Sequence, residues 1–112
     1  MSAEKMEIRG DILPAAFVSD PARRVEIART ILSQLPEWFG IPAATEGYIT
    51  DAAHEPCFVC EKDGAPVGFL CLKETGRSTV ELAVMGVLKP CHRKGYGRAL
   101  VDAAVAYARQ TG

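Results

Sequence analysis

A chain of 112 residues and 12.1 kDa is the length of one domain, which excludes a two-domain enzyme, and 48% hydrophobic residues suffice for a core. Thirteen Lys and Arg against fourteen Asp and Glu leave a net charge of −1. That balance argues against a general nucleic-acid binder, because phosphate contacts need a basic surplus. No apolar run approaches the roughly 20 residues that span a membrane, and the polar start Met1 to Gly10 does not read as a secretion signal. Four cysteines in that context are expected to be reduced thiols of a cytoplasmic protein. Cys57 and Cys60 form a C-x-x-C that could serve half a zinc site or a redox pair. In a β-type run, however, positions three apart face opposite sides of a sheet, so both are expected to be small buried hydrophobes and no metal is expected.

In chain order, Met6 to Arg9 alternates apolar and polar residues and predicts a first strand ending at Gly10. Ser19-Asp20-Pro21 is a helix start. Ile27, Ile31 and Leu35, four apart, give that helix an apolar stripe until Pro36 stops it. An aromatic loop, Leu35-Pro-Glu-Trp-Phe-Gly40, leads to a second helix from Pro42 to about Ala53. Phe58-Val-Cys60 and Val67 to Leu72 predict a hairpin across the turn dipeptide Asp63-Gly64. A polar connection, Glu74 to Ser78, follows. The long apolar run Thr79 to Leu88 reads as a strand central in its sheet. A basic loop, Lys89 to Gly97, precedes an Ala-rich helix, Arg98 to Gln110, with Leu100, Val101, Ala104, Val105 and Ala108 as its buried stripe. The expected fold is α/β (α+β), a mostly antiparallel sheet flanked by helices in the order β-α-α-β-β-β-α.

The junction between the long strand and the last helix carries the chemistry. Lys89, Arg93, Lys94 and Arg98 place four permanent cations within ten residues of an otherwise neutral chain. Gly95 and Gly97 let backbone approach a ligand closely, and the helix opening there offers unpaired N–H groups and a positive dipole end. Together these describe an anion cradle sized for a phosphate or pyrophosphate, against the alternative of a solvated basic turn. The glycine pattern completes neither a dinucleotide-binding fingerprint nor a P-loop.

The run Val87 to Leu100 resembles the acetyl-coenzyme-A signature of the GNAT superfamily of N-acetyltransferases, [Q/R]-x-x-G-x-[G/A]. His92-Arg-Lys-Gly95-Tyr-Gly97 matches it with His92 at the Gln/Arg position. The element order is also similar, so the resemblance covers 1–112 as a single acyl-CoA N-acyltransferase-like domain. It implies acetyl-CoA as co-substrate, held at its pyrophosphate by loop amides around His92, Arg93, Lys94, Gly95, Gly97 and Arg98. It implies further that backbone near Met85 and Val87 contacts the pantetheine arm and the thioester carbonyl. Direct acetyl transfer to an amine needs a base. Glu81, eleven residues before His92, stands at the spacing of the glutamate base in the histone-acetylating branch of the family. By the same resemblance the loop holding Trp38 and Phe39 roofs the acceptor pocket. Cys91 reads as a passive thiol beside the signature.

The family pattern continues beyond its third helix with a fifth strand, a fourth helix, a final hairpin and a tyrosine that protonates the departing thiolate. The resemblance therefore implies a C-terminally incomplete domain, truncated before the fifth strand, with a bare edge on the long strand. Such a chain is expected to be a truncated product or to complete itself as a homodimer. Two functions follow. One is an N-acetyltransferase acting on a small-molecule or peptide amine. The other is a non-catalytic domain that binds coenzyme A or acts through protein association.

Overall fold

The computed structural model describes residues 14–36, 42–77 and 79–111. Its elements run β1 (Ala16–Val18), α1 (Pro21–Leu32), α2 (Pro42–Asp51), β2 (Cys57–Lys62), β3 (Ala65–Gly76), β4 (Thr79–Val87) and α3 (Tyr96–Thr111), with 3-10 turns at Ala52–His54 and Lys89–Cys91. The expected β-α-α-β-β-β-α order holds. The strand expected at Met6 to Arg9 lies outside the described residues. β1 was not among the expected strands: it is three residues long, too short for alternation to announce it, with only Val18 buried.

Asp20 caps α1 by accepting the Ala22 amide at 3.1 Å, and Pro21 supplies a helical φ at the first position. Ile27, Ala28, Ile31 and Leu32 form its buried face. The helix ends three residues before the expected Leu35. A residue preceding proline avoids helical geometry, so the chain tightens into i→i+3 bonds, Gln34 N to Ile31 O and Leu35 N to Leu32 O, both 3.0 Å. Leu35 stays fully buried all the same.

The described strands form one antiparallel sheet in the order β1-β2-β3-β4. The β2–β3 turn is the one expected, with Asp63 and Gly64 both at positive φ (54° and 82°), as a two-residue primed turn requires. The connection expected from Glu74 to Ser78 is mostly strand. β3 continues to Gly76 and pairs with the start of β4 (Lys73 opposite Glu81), a ribbon polar because it projects past the core into solvent.

β4 is not central but stands at the end of the described sheet. Its apolar composition reflects helices on both faces rather than strands on both edges. One core lies under α1 and joins Ile31, Leu35, Val59, Phe69 and Val84; the other lies under α3 and joins Phe58, Cys60, Leu70, Tyr96 and Leu100. α3 starts two residues earlier than expected, and its buried stripe is Tyr96, Leu100 and Ala104. Val101 and Val105, expected inside, are 44% and 43% exposed, and Leu82 on β4 is 59% exposed. No helix among the described residues is long and apolar enough to cross a membrane.

Cys57 and Cys60 do face opposite cores, as expected from strand spacing. The expectation of four reduced thiols is corrected: Cys57 and Cys71 form a disulfide, leaving Cys60 and Cys91 as buried free thiols. The pairing has a register cause. Leu72 N donates to Pro56 O, so the next pair, Cys57 opposite Cys71, is a non-hydrogen-bonded site, where strands approach most closely; the Cα atoms are 4.3 Å apart. A cross-link over 14 residues should contribute about 3 kcal/mol by restricting the unfolded chain. Adding reductant is therefore expected to lower the urea midpoint of the wild type but not that of Cys71→Ala. Identical wild-type curves with and without reductant would contradict the pairing. Burial raises the Cys60 thiol to about 11, so it stays protonated at neutral pH.

Candidate active site

A cavity of about 310 Å³ opens where β4 runs into the basic loop, lined by Met85, Gly86, Val87, Cys91, His92, Arg93 and Gly97. Five residues singled out in the sequence thus meet at one site: Met85, Val87, His92, Arg93 and Gly97. A larger groove of about 760 Å³ lies between β1, β2 and α3, against Phe17, Phe58 and Tyr107, and holds none of the predicted residues.

The loop is built to expose amides. A 3-10 turn sinks Cys91 into the α3 core, after which Arg93 and Gly95 take positive φ, 63° and 94°. Such turns aim successive N–H groups to one side, a concavity suited to an anion. α3 opens directly behind it, with Ala99 N bonded to Gly95 O at 3.0 Å, so its first N–H groups and positive dipole end face the same place. Arg93, Lys94, Gly95 and Arg98 are all exposed there, and the Arg98 side chain, 85% exposed, reaches Asp102 at 3.8 Å. Gly97 lies inside the helix, not in the loop. A Cβ there would come within 3.3 Å of Met85 Cε, so glycine lets the helix start sit close against β4.

The strand supplies the second half of the site. Leu88 N donates to Val67 O on the β3 side. Alternation along an antiparallel strand then turns the backbone groups of Val87 and Met85 to the outer edge of β4, which no described strand covers. His92 Nε2 reaches the Val87 carbonyl across that edge at 2.6 Å.

Two lining residues, Gly86 and Cys91, were not among the predicted ones. A lone glycine in an apolar strand signals close approach, and here the neighbours are α1 and the turn that follows it: a Cβ on Gly86 would lie 3.3 Å from Ile31 Cγ2 and 3.2 Å from Leu35 Cδ1. Glu81 does not line the cavity. It lies four residues along β4 from Met85, about 13 Å for an extended strand, exposed and opposite Lys73 in the register. A register shift between Cys71 and Leu72 leaves Ala83 as an extra residue between Glu81 and Met85. Trp38 and Phe39 lie outside the described residues. Among the described residues no group of three or more His, Cys, Asp or Glu side chains could hold a metal ion.

The model of the acetyltransferase (GNAT) family matches residues 24–112, most of the chain. The chain belongs to the GNAT acetyltransferases. Solved GNAT structures agree. A putative GNAT-family acetyltransferase from Desulfovibrio desulfuricans superposes with a TM-score of 0.66 at 20% identity, over 88% of this chain and 68% of its own. An N-acetylglutamate synthase from Neisseria gonorrhoeae, complexed with coenzyme A and N-acetyl-glutamate, gives 0.62 at 20% identity over 88% of this chain and 23% of its own. An IAA acetyltransferase from Bacillus cereus gives 0.53 at 26% identity over 58% of this chain. This chain spans 43% of the length of that last protein. No curated protein matches. The fold expected from the signature and the element order, a GNAT-like sheet flanked by helices, is the fold observed, and the described sheet is antiparallel throughout.

Proposed function

We propose that this chain is an acetyl-CoA-dependent N-acetyltransferase that acts on a primary amine of a small molecule or peptide. The observation that carries the reading is the meeting, in one cavity, of a left-handed amide loop at a helix N-terminus and an uncovered strand edge. Pyrophosphate and an extended amide-bearing arm are the two parts of coenzyme A that such surfaces would bind. The residues fit it. Amides of the loop from His92 to Gly95, those of Gly97 and Arg98, and the Arg93, Lys94 and Arg98 cations would hold the pyrophosphate. The outer backbone groups of Met85 and Val87 would hold the arm and polarise the thioester carbonyl.

Anchored at the loop and laid along β4, the arm carries its thioester from Val87 toward Ala83 and so toward Glu81. Alternation puts Glu81 on the same face as Ala83, which packs on the α1 core. From there its carboxylate would take the ammonium proton of an acceptor arriving over that face, freeing the lone pair for attack. The N–C bond forms as the C–S bond breaks, the nitrogen's second proton passes to solvent, and the departing thiolate takes its proton from solvent. Neither described tyrosine of the last helix is placed for that step. Tyr96 is buried in the α3 core, and Tyr107 lines the other groove. Trp38 and Phe39 are proposed to contact the acceptor. With acetyl-CoA as its co-substrate, the chain is proposed to act in the cytoplasm, where burial keeps the Cys57–Cys71 pair out of reach of soluble thiols.

One observation favours a second reading, a coenzyme-binding domain without turnover. The outer edge of β4 and the Val101 and Val105 face of α3 are uncovered among the described residues, as a partner strand or a second copy would require. Incubation with acetyl-CoA and a panel of amines, read by mass spectrometry for acetylated product and free coenzyme A, separates the two. Acetylated amine is expected; coenzyme binding without product on any amine would favour the second.

A further inference from the structure

Building on that reading of the site, we infer that His92 is a positioning residue, whose ring fixes the pyrophosphate loop to the thioester-binding edge of β4 through the Val87 carbonyl. The contact is short, 2.6 Å from Nε2 to the oxygen, and spans five residues of chain. A carbonyl can only accept, so Nε2 must carry the proton, which fixes the ring tautomer when the imidazole is neutral. The bond survives protonation of the ring, because Nε2 is a donor in both states.

Three consequences follow from its place. The Val87 carbonyl is one of the outward groups of β4, since Leu88 bonds to β3. With that carbonyl engaged by the ring and Leu88 N bonded to Val67 O, the peptide unit joining Val87 to Leu88 is held at both of its polar atoms, and the end of the strand edge keeps its orientation. The bond also closes a ring of chain from Val87 through the 3-10 turn to His92, immediately before Arg93 enters the left-handed region. The two halves of the site, loop amides and strand edge, are thereby held at one spacing. Finally, the bond accounts for the departure from Gln or Arg at this signature position. What the geometry needs there is a side-chain N–H that reaches the end of the strand, and imidazole supplies one.

The test has two parts. His54 and His92 are the chain's two histidines, so ring ¹⁵N spectra with His54→Gln as the assignment control report the His92 tautomer without any ligand. An Nε2-protonated ring with slow proton exchange is expected; an Nδ1-protonated or rapidly exchanging ring would overturn the inference. The second part is titration of coenzyme A into wild type, His92→Leu and His92→Gln, with melting temperatures recorded. His92→Leu is expected to bind about tenfold more weakly while still folding, as loss of one hydrogen bond allows. His92→Gln, which restores an N–H donor, is expected to recover affinity to within about threefold of wild type. Equal binding by wild type and His92→Leu would overturn the positioning role. Should His92→Leu fail to fold, equal weakening by a folded His92→Gln and His92→Ala would do the same. No binding by wild type itself would instead remove the coenzyme reading, and the positioning role with it, whatever the tautomer.

Discussion

Gly86→Val is expected to cost about 2–3 kcal/mol and to lower the melting temperature by roughly 10 °C. The space for a side chain is already taken. A bare Cβ would meet Leu35 Cδ1 at 3.2 Å, Ile31 Cγ2 at 3.3 Å and Phe69 Cε1 at 3.4 Å. Those three side chains are themselves almost wholly buried, so none can swing into solvent to make room. Two further methyl groups on a β-branched residue would have to push α1 away from the sheet. Gly47→Ala is the matching control. Gly47 lies within α2 with nothing within 4 Å of its Cβ position, so removing a helical glycine there should stabilise by about 0.5–1 kcal/mol. Thermal melts of the two variants should therefore move in opposite directions. An unchanged melt for Gly86→Val would mean that α1 does not press on β4 as described.

The second large effect is catalytic. Glu81→Gln is expected to reduce kcat for amine acetylation by about 10²–10³-fold, within the range for loss of a general base, while leaving the affinity for acetyl-CoA unchanged. The separation follows from distance, since Glu81 lies about 13 Å along β4 from Met85 and does not line the cavity. Raising the pH should recover part of the lost rate, because an acceptor that is already deprotonated needs no base. A parallel loss of affinity would place Glu81 in coenzyme binding instead. An unchanged kcat would leave proton removal to solvent.

How much of this was legible beforehand divides along physical lines. Signals local to a few residues were readable: the Asp20-Pro21 start of α1, the Asp63-Gly64 turn, and the concentration of cations and glycines between Lys89 and Arg98. Features set by tertiary partners were not. An apolar strand says that its two faces are covered, not its two edges, so β4 read as central when it stands at the end of the described sheet. Val101 and Val105 fit a helical stripe by spacing, yet burial goes to Tyr96, Leu100 and Ala104, because the rotation of α3 is fixed by its packing on β2 and β3. The Cys57–Cys71 pair depends on the register of two strands, which cysteine spacing alone does not contain. The His92 bond to Val87 likewise needs the 3-10 turn that bends the loop back over the strand end.

The central claim is that the loop at the start of α3 and the edge of β4 form a coenzyme A site. Calorimetric titration of acetyl-CoA into the wild-type chain, repeated with Arg93→Ala and Arg98→Ala, tests it most directly. Micromolar binding is expected, weakened by about 1–2 kcal/mol in each variant as charge-assisted contacts to phosphate are lost, with the melting temperatures unchanged. A folded wild-type chain that takes up no acetyl-CoA, or binds it equally well without either arginine, would contradict the account.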